Sequence, residues 1–227
     1  MHKSPHIREF SKNSKHYHDY NFLQKKVAKE LIKEVNFQPK KILDIGCGDG
    51  VVCSMIDWEF EKFVGVDFSK EMLSLHQKGE NIFLQERDFD KLDSSFYSEF
   101  DWVVSSSSLQ WSKDIVKIVK DIQKNSKNFA LAFFCDGTFK SLREWLGLET
   151  FLPNKKDILT ILDKNVSYET KKYSLEFNSA IEQLRYIKRS GVSGGVKRVS
   201  VKKLRDFIKN YDKKELEFEV FFMIKTP

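Results

Sequence analysis

An apolar run that ends in alternating glycines is the feature that most constrains this chain of 227 residues. Residues 42–50 read Ile-Leu-Asp-Ile-Gly-Cys-Gly-Asp-Gly. Glycine reaches positive φ without steric cost and lets a ligand approach the backbone closely. Gly46, Gly48 and Gly50 therefore predict a tight ligand-binding loop at the end of a buried strand. We expect residues 51–58 to begin a helix whose free N–H groups face the same ligand.

Two further apolar runs are followed by acidic residues. Asp67 comes directly after residues 62–66, and Asp88 comes shortly after residues 81–85. In nucleotide-binding α/β folds, a carboxylate at the tip of the second strand accepts hydrogen bonds from ribose hydroxyls. Asp67 is therefore predicted to bind a ribose. Asp88 is either a second ligand contact or a charge that caps a helix or faces solvent.

The spacing of apolar residues predicts the order of strands and helices. Strand patterns occupy residues 41–45, 62–66, 81–85, 100–104, 128–134, 168–177 and 215–224. Helical patterns occupy residues 22–35, 51–58, 69–77, 113–124, 138–148, 180–188 and 200–210. The alternation predicts an α/β fold with a doubly wound, mostly parallel seven-stranded sheet. Ligands bind such sheets at the carboxyl ends of the strands.

We expect one domain over residues 1–227, with all segments sharing a single core. Its predicted parts are an N-terminal helical segment (1–38), a ligand-binding core (40–135), a substrate-side segment with a helical insertion (136–214) and a final strand (215–225).

The composition favours an acidic partner. Lys and Arg number 39 against 33 Asp and Glu, which gives a net charge of +6, and a positive surface attracts anionic ligands. No apolar run approaches the roughly 20 residues of a membrane span, and the first ten residues lack the apolar core of a signal peptide. We therefore expect a cytoplasmic protein. The three cysteines and five histidines show no ligand spacing, so no metal site is predicted.

The glycine spacing separates two classes of nucleotide cofactor. A dinucleotide loop reads G-x-G-x-x-G, whereas G-x-G-x-G after Asp44 resembles motif I of the class I methyltransferases that use S-adenosylmethionine. This resemblance covers residues 40–135 and implies that the Asp44 carboxylate holds the ammonium of the methionine moiety. The residues that it implies for cofactor binding are Gln24, Asp44, Gly46, Cys47, Gly48, Gly50, Asp67, Phe68, Asp88, Phe89 and Ser105.

Shorter motifs along the rest of the chain resemble a narrower family, the malonyl-acyl carrier protein O-methyltransferases of biotin synthesis. Residues 108–111, Ser-Leu-Gln-Trp, resemble that family's Gln-Trp motif after the fourth strand. Residues 184–192 resemble its Arg-x-x-Lys-x-x-Gly motif, and His16-Tyr17 resembles part of its opening helix. The turn at residues 125–128 departs from the Pro-Gly-Gly that is usual in class I enzymes.

The resemblance implies methyl transfer to the free carboxylate of malonyl-acyl carrier protein. A carboxylic acid with a pKa of about 4 is already ionised at pH 7, so no general base is required. We expect Arg185 or Lys188, and after them Arg143, to hold the malonyl carboxylate, since a guanidinium matches a carboxylate with two hydrogen bonds. Tyr17 is predicted to face the sulfonium in a cation–π contact. The predicted walls of the substrate pocket are Gln110 and Trp111.

The insertion is the predicted docking surface for the acidic carrier protein. Its basic residues are Lys188, Arg189, Lys197, Arg198, Lys202, Lys203 and Arg205. RNA would also suit a basic surface, but only Tyr186 and Phe207 could stack on bases there, which favours a protein partner. The same charges, including Arg185 and Lys188, could instead form a solvated helix face.

Two other functions stay open from the sequence. A class I methyltransferase could act on another small molecule or on RNA, although residues 105–108 lack the Asn/Asp-Pro-Pro-aromatic tetrapeptide of enzymes that methylate amino groups. A non-catalytic binding module could keep the fold. Such a module would not need Asp44, Asp67 and Asp88 around an intact glycine loop.

Overall fold

The computed structural model describes residues 21–189 and 199–227, and its strands form one seven-stranded sheet. The strands are β1 (Lys41–Ile45), β2 (Lys62–Asp67), β3 (Ile82–Glu86), β4 (Trp102–Ser106), β5 (Phe129–Phe134), β6 (Ser167–Glu176) and β7 (Glu215–Lys225). Their spatial order is β3-β2-β1-β4-β5-β7-β6. Strands β1 to β5 pair in parallel, and β7 runs antiparallel to β5 and β6. The predicted fold class is confirmed.

Helices cover both faces of this sheet. They are α1 (Phe22–Lys33), α2 (Lys70–Leu75), α3 (Ile115–Asn125), α4 (Lys140–Leu146), α5 (Lys155–Leu159), α6 (Ala180–Arg189) and α7 (Val201–Asn210). Helices α1, α4, α6 and α7 supply one hydrophobic core, and α3 and α5 supply the other. As predicted, the helical insertion lies between β6 and β7. In the described part of the chain, no helix is long and apolar enough to cross a membrane.

The central strands are apolar at successive positions because both of their faces are buried. In β1, Ile42 joins the core on the α1 side, and Leu43 joins the core on the α3 side. In β5, Ala130 and Ala132 lie toward α1, whereas Phe133 faces the opposite core. Successive side chains of a strand point to opposite faces, so a continuous apolar run is what a strand covered by helices on both sides requires.

The strand order creates a switch point between β1 and β4. The chain leaves β1 toward β2 on one side and returns from β3 to enter β4 on the other side. In open α/β sheets the ligand crevice lies outside the carboxyl ends of the strands at such a point. The insertion also leaves β6 and re-enters β7 at this edge, because β6 is parallel to β5 and β7 is antiparallel to it.

Three predicted elements differ from the structure. The helix expected at residues 51–58 is a single 3-10 turn, Cys53–Met55, because the backbone becomes extended at Ile56 (φ −75°, ψ 117°). The fourth strand begins at Trp102 instead of residue 100, since the Asp101 carboxylate accepts hydrogen bonds from the backbone of Lys40 and Lys41. Helix α5 was not predicted, because its five residues are too short for a periodic pattern.

Candidate functional site

The glycine loop after β1 has the backbone conformation that the sequence predicts. Gly46, Gly48 and Gly50 have φ values of +72°, +54° and +89°, which L side chains rarely adopt. A Cβ atom on Gly46 would clash with the side chain of Ser108, in the loop after β4. A Cβ atom on Gly50 would lie 2.9 Å from the ring of His76. The loop thus has no room for a larger residue at Gly46 or Gly50.

Two serines join the glycine loop to the end of β4. The hydroxyls of Ser105 and Ser108 both donate to the carbonyl oxygen of Ile45, at 2.7 and 2.8 Å. Ser105 was predicted to contact the cofactor, but it is completely buried and does not line the cleft described below. Its position is explained by this link, because an unpaired carbonyl at the end of β1 would be costly.

Asp67, at the end of β2, holds the glycine loop from the other side. One carboxylate oxygen accepts a hydrogen bond from Gly48 N at 3.0 Å, and the other accepts one from Ser69 N at 2.8 Å. Burial raises the pKa of Asp67 to about 6 despite these hydrogen bonds. Each oxygen keeps a further lone pair, so Asp67 can accept hydrogen bonds from a ligand while it orders the loop.

Asp44 is the most unusual charged group of the site. It is 1% exposed, and neither carboxylate oxygen has a hydrogen-bond partner among residues 21–189 and 199–227. Burial, together with the nearby Asp67 carboxylate, raises the pKa of Asp44 well above its ordinary value. A buried carboxylate without a partner is costly, and a cationic ligand would remove that cost.

These residues line a cleft at the switch point, which we call the first cleft. Sequence-predicted residues that it brings together are Gln24, Asp44, Gly46, Cys47, Gly48, Asp67, Phe68, Phe89 and Trp111. It also includes residues that sequence reasoning missed, namely Ala28, Asp49, Val51, Val52, Ser69, Met72, Ser106, Ser107 and Ser108. The run of four serines at the end of β4 was the available signal for the last three. The prediction selected Ser105 from that run, but the strand's register turns Ser105 toward Ile45.

Three predicted site residues support the first cleft without lining it. Asp88 caps the 3-10 turn Phe89–Lys91 by accepting a hydrogen bond from Asp90 N, and it lies 3.4 Å from Lys91 Nζ. Gly50 packs on His76. Gln110 is buried and donates to the carbonyl oxygen of Ser107 at 2.6 Å. The structure therefore favours the helix-cap interpretation of Asp88.

Arg143 lies in a separate cleft, which we call the second cleft. Among the residues that line it are Asp136, Arg143, Lys155, Glu217 and Glu219. The Arg143 guanidinium donates to the carbonyl oxygens of Thr138 and Asp136. These bonds hold Arg143, which was predicted to bind the malonyl carboxylate, against the turn after β5 and outside the first cleft.

The predicted cations of the insertion that the structure describes are exposed side chains. Arg185 and Lys188 lie on α6, and neither lines the first cleft. Tyr17, Lys197 and Arg198 lie outside the described residues. Along the described part of the first cleft, the only charged side chains are Asp44, Asp49 and Asp67. The structure thus gives no support to a carboxylate-binding role for Arg185 or Lys188 in that cleft.

Trp111, which lines the first cleft, forms an aromatic pair with Phe151. The rings of Trp111 and Phe151 stack with centroids 5.4 Å apart and planes 17° from parallel. Phe151 belongs to the segment that returns to the sheet edge, where the carbonyl oxygen of Pro153 accepts a hydrogen bond from Asp136 N. Offset-stacked rings supply rigid apolar surface, so this pair can shield the cleft from water.

Comparison with known proteins finds relatives over most of the chain. The model of a family described as a methyltransferase domain matches residues 36–192. A malonyl-[acyl-carrier protein] O-methyltransferase of Neorickettsia risticii is 28% identical over 204 residues, covering 80% of this chain and 79% of that protein. The protein of the same name from Calditerrivibrio nitroreducens is 28% identical over 216 residues, covering 88% and 83%. The protein of the same name from Priestia megaterium is 29% identical over 147 residues, which cover 60% of this chain but only 53% of that protein.

Solved structures agree with the fold. The YcgJ protein of Bacillus subtilis has a TM-score of 0.60 at 17% identity, over 89% of this chain and 99% of that one. The plantazolicin methyltransferase BpumL in complex with SAH has a TM-score of 0.54 at 12% identity, over 97% and 98% of the two chains. At identities this low, the similarity shows the fold alone.

Proposed function

Since this chain belongs to the methyltransferase domain family, whose model matches residues 36–192, we propose that it methylates the free carboxylate of malonyl-acyl carrier protein. The enzyme depends on S-adenosylmethionine as its methyl donor. The methyl ester that it would form is the primer of biotin synthesis. Relatives named for this activity support the acceptor, and the chemistry of the first cleft supports a carboxylate acceptor.

The first cleft fits the cofactor at both of its polar ends. The partnerless Asp44 carboxylate would bind the ammonium of the methionine moiety, and Gln24 adds an acceptor, since its Oε1 is buried and lacks a hydrogen bond within the described residues. Asp67 would accept hydrogen bonds from the ribose hydroxyls through its remaining lone pairs. When bound, the cofactor supplies a methyl group made electrophilic by its sulfonium. Phe89 and Met72 supply apolar surface in the same cleft.

The observation that carries the choice of acceptor is that the described lining of the first cleft offers no base other than the carboxylates of Asp44, Asp49 and Asp67. Among the described residues of the first cleft there is no histidine, lysine or tyrosine. Burial raises the pKa of the Cys47 thiol well above its ordinary value, so this thiol stays protonated. An amine or hydroxyl acceptor needs a group that removes its proton. A carboxylate, with a pKa of about 4, needs none.

Catalysis then rests on positioning and on the exclusion of water. Alignment of two bound reactants supplies roughly 7–11 kcal/mol in favourable cases. The glycine loop, fixed by Asp67 and by the serines after β4, sets one side of that alignment. Trp111, which lines the first cleft and stacks on Phe151, would limit water on the other side.

The carrier protein would dock on the basic face of α7. Lys202, Arg205 and Lys209 are exposed and line one shallow groove, as expected for residues spaced three and four apart on a helix. The exposed Lys188 and Arg189 end the neighbouring helix α6. We propose that these cations meet an acidic carrier protein, since complementary charges speed association and select the partner.

A charge-reversal experiment tests the docking surface. In the triple variant Lys202→Glu, Arg205→Glu and Lys209→Glu we expect the KM for malonyl-acyl carrier protein to rise by about tenfold or more. The KM for malonyl-pantetheine, which lacks the carrier, should not change. The matched control reverses Lys120, Lys124 and Lys127, which are exposed at or beside α3. Equal effects in the two variants would assign the result to net charge and reject this surface.

Transfer of labelled methyl tests the reaction itself. Malonyl-acyl carrier protein is incubated with enzyme and labelled S-adenosylmethionine beside malonyl-coenzyme A, acetyl-acyl carrier protein and bulk RNA. We expect base-labile label on the malonyl carrier and none on the acetyl carrier, because only the former has a free carboxylate. Label on RNA, or no label while S-adenosylhomocysteine still binds, would reject the proposed acceptor and keep the family.

A further inference from the structure

Two serine hydroxyls of the first cleft are not explained by the loop or by the cofactor. Ser106 is the last residue of β4, and Ser107 follows it. Both residues line the cleft, and neither hydroxyl has a hydrogen-bond partner in the part of the chain that the structure describes. Their neighbours differ, because Ser105 and Ser108 donate to the Ile45 carbonyl. The run of four serines therefore contains two structural hydroxyls and two hydroxyls that lack a partner.

The backbone at Ser107 has an unusual conformation that the surroundings maintain. Its φ is +58°, and among the described non-glycine residues only Ser107 and Phe139 have a positive φ. Ser107 N donates to the carbonyl oxygen of Ala132 at 2.8 Å, and the carbonyl oxygen of Ser107 accepts from Gln110 Nε2 at 2.6 Å. Such strained residues persist where the structure fixes them, and they cluster at functional sites.

The chemistry of the remaining cleft groups limits what these hydroxyls can bind. Asp44 and Gln24 Oε1 accept hydrogen bonds, so they suit the cofactor ammonium. A hydroxyl can donate, and the acceptor carboxylate needs donors. Arg143 lies in the second cleft, and along the described lining of the first cleft no cation is available to hold that carboxylate.

We propose that the hydroxyls of Ser106 and Ser107 bind the carboxylate of the acceptor and orient it toward the methyl group. This assignment rests on the proposed function and names the residues that select its substrate. Neutral donors form weaker hydrogen bonds to a carboxylate than a guanidinium does. They therefore position the nucleophile without stabilising its charge as strongly.

At the acceptor, the methyl transfer requires no group other than these residues. One carboxylate oxygen forms the new C–O bond as the S–CH3 bond breaks. The bonding electron pair stays on sulfur, which becomes a neutral thioether. The product is a methyl ester, and no proton is transferred. Ser106 and Ser107 donate to the carboxylate throughout and are themselves unchanged.

Single substitutions separate the hydroxyls from the fold. Ser106→Ala removes one hydroxyl, and Ser107→Gly removes the other while glycine accepts the positive φ without strain. We expect kcat/KM for malonyl-acyl carrier protein to fall about 10- to 100-fold in each variant, the range for one hydrogen bond to a charged group. The Kd of S-adenosylhomocysteine should stay within about twofold. Thermal melting reports folding, and Ser107→Gly should melt no lower than the wild type.

A matched control is Ser98→Ala. Ser98 donates only to the carbonyl oxygen of Ser95 at an exposed 3-10 turn, so kcat/KM should not change. If both cleft variants kept the wild-type kcat/KM, the hydroxyls would not bind the acceptor. If S-adenosylhomocysteine binding fell by the same factor as kcat/KM, they would be cofactor contacts, which also overturns the assignment. Failure of the wild-type enzyme to methylate the malonyl carrier would instead reject the proposed function, and this inference with it.

Discussion

The first and second clefts both contain buried charged side chains, but the protein supplies partners mainly in the second. There Lys155 Nζ lies 2.8 Å from Glu219, Glu217 accepts hydrogen bonds from Ser141, and Arg143 donates to two carbonyls. In the first cleft, within the described chain, Asp44 has no partner. Natural structures rarely leave buried polar atoms unsatisfied. Asp136 Oδ1, in the second cleft, also lacks a partner among the described residues, so the first cleft is distinguished by a carboxylate that lacks partners at both of its oxygens.

Asp44→Asn is expected to have the largest effect. Removing the charge that meets the cofactor ammonium should weaken S-adenosylhomocysteine binding by about 100-fold, close to 3 kcal/mol. The same change should raise the melting temperature of the unliganded protein, because it removes a buried carboxylate whose pKa the fold raises. Calorimetry and thermal melting measure the two quantities. Weaker binding together with a lower melting temperature would mean that Asp44 is structural.

Lys155→Met, in the second cleft, should lower the stability of the protein and leave cofactor binding unchanged. Glu219, which is 7% exposed, would lose its ion pair, and an unpaired charge at this partly open site should cost about 2 kcal/mol of folding free energy. Denaturant unfolding measures this loss, and S-adenosylhomocysteine binding should not change. Lys156→Met, at an exposed neighbouring position, is the control. A loss of cofactor affinity in Lys155→Met would show that the two clefts are coupled.

The contrast between the two clefts also explains which parts of the site could be predicted from the sequence. The glycine loop and Asp67 were predicted because their geometry depends on a few adjacent residues and on one strand end. The positions of Arg143 and Ser105 outside the lining of the first cleft were not predictable, because their partners, Thr138, Asp136 and Ile45, are set by turn geometry and strand register. Sequence spacing predicts which residue types lie near a strand end. It does not predict which of these side chains have hydrogen-bond partners within the protein.

The pH dependence of cofactor binding is expected to be a smaller effect than those of the two substitutions above. Burial raises the pKa of Asp67 from 3.8 to about 6, so the fold binds this proton more tightly than the unfolded chain does. In the unliganded protein, Asp67 therefore adds stability at low pH that is lost as the pH rises through about 6. Ribose binding needs the ionised form, so protonation of Asp67 should contribute about a tenfold loss of S-adenosylhomocysteine affinity per pH unit below 6, in addition to any contribution from Asp44. Calorimetry at several pH values measures the slope of the logarithm of this affinity against pH. In Asp67→Asn, the slope should be smaller by one.

Arg143→Lys should have the smallest effect and should be confined to stability. Lysine cannot reproduce the two hydrogen bonds of the guanidinium to Thr138 and Asp136, so we expect a loss of about 1 kcal/mol of folding free energy. The KM for malonyl-acyl carrier protein should not change, because Arg143 is held in the second cleft. A tenfold rise in KM with unchanged stability would return Arg143 to the acceptor site. It would also show that a charge whose bonds the protein satisfies can still bind substrate, which would weaken the distinction between the clefts.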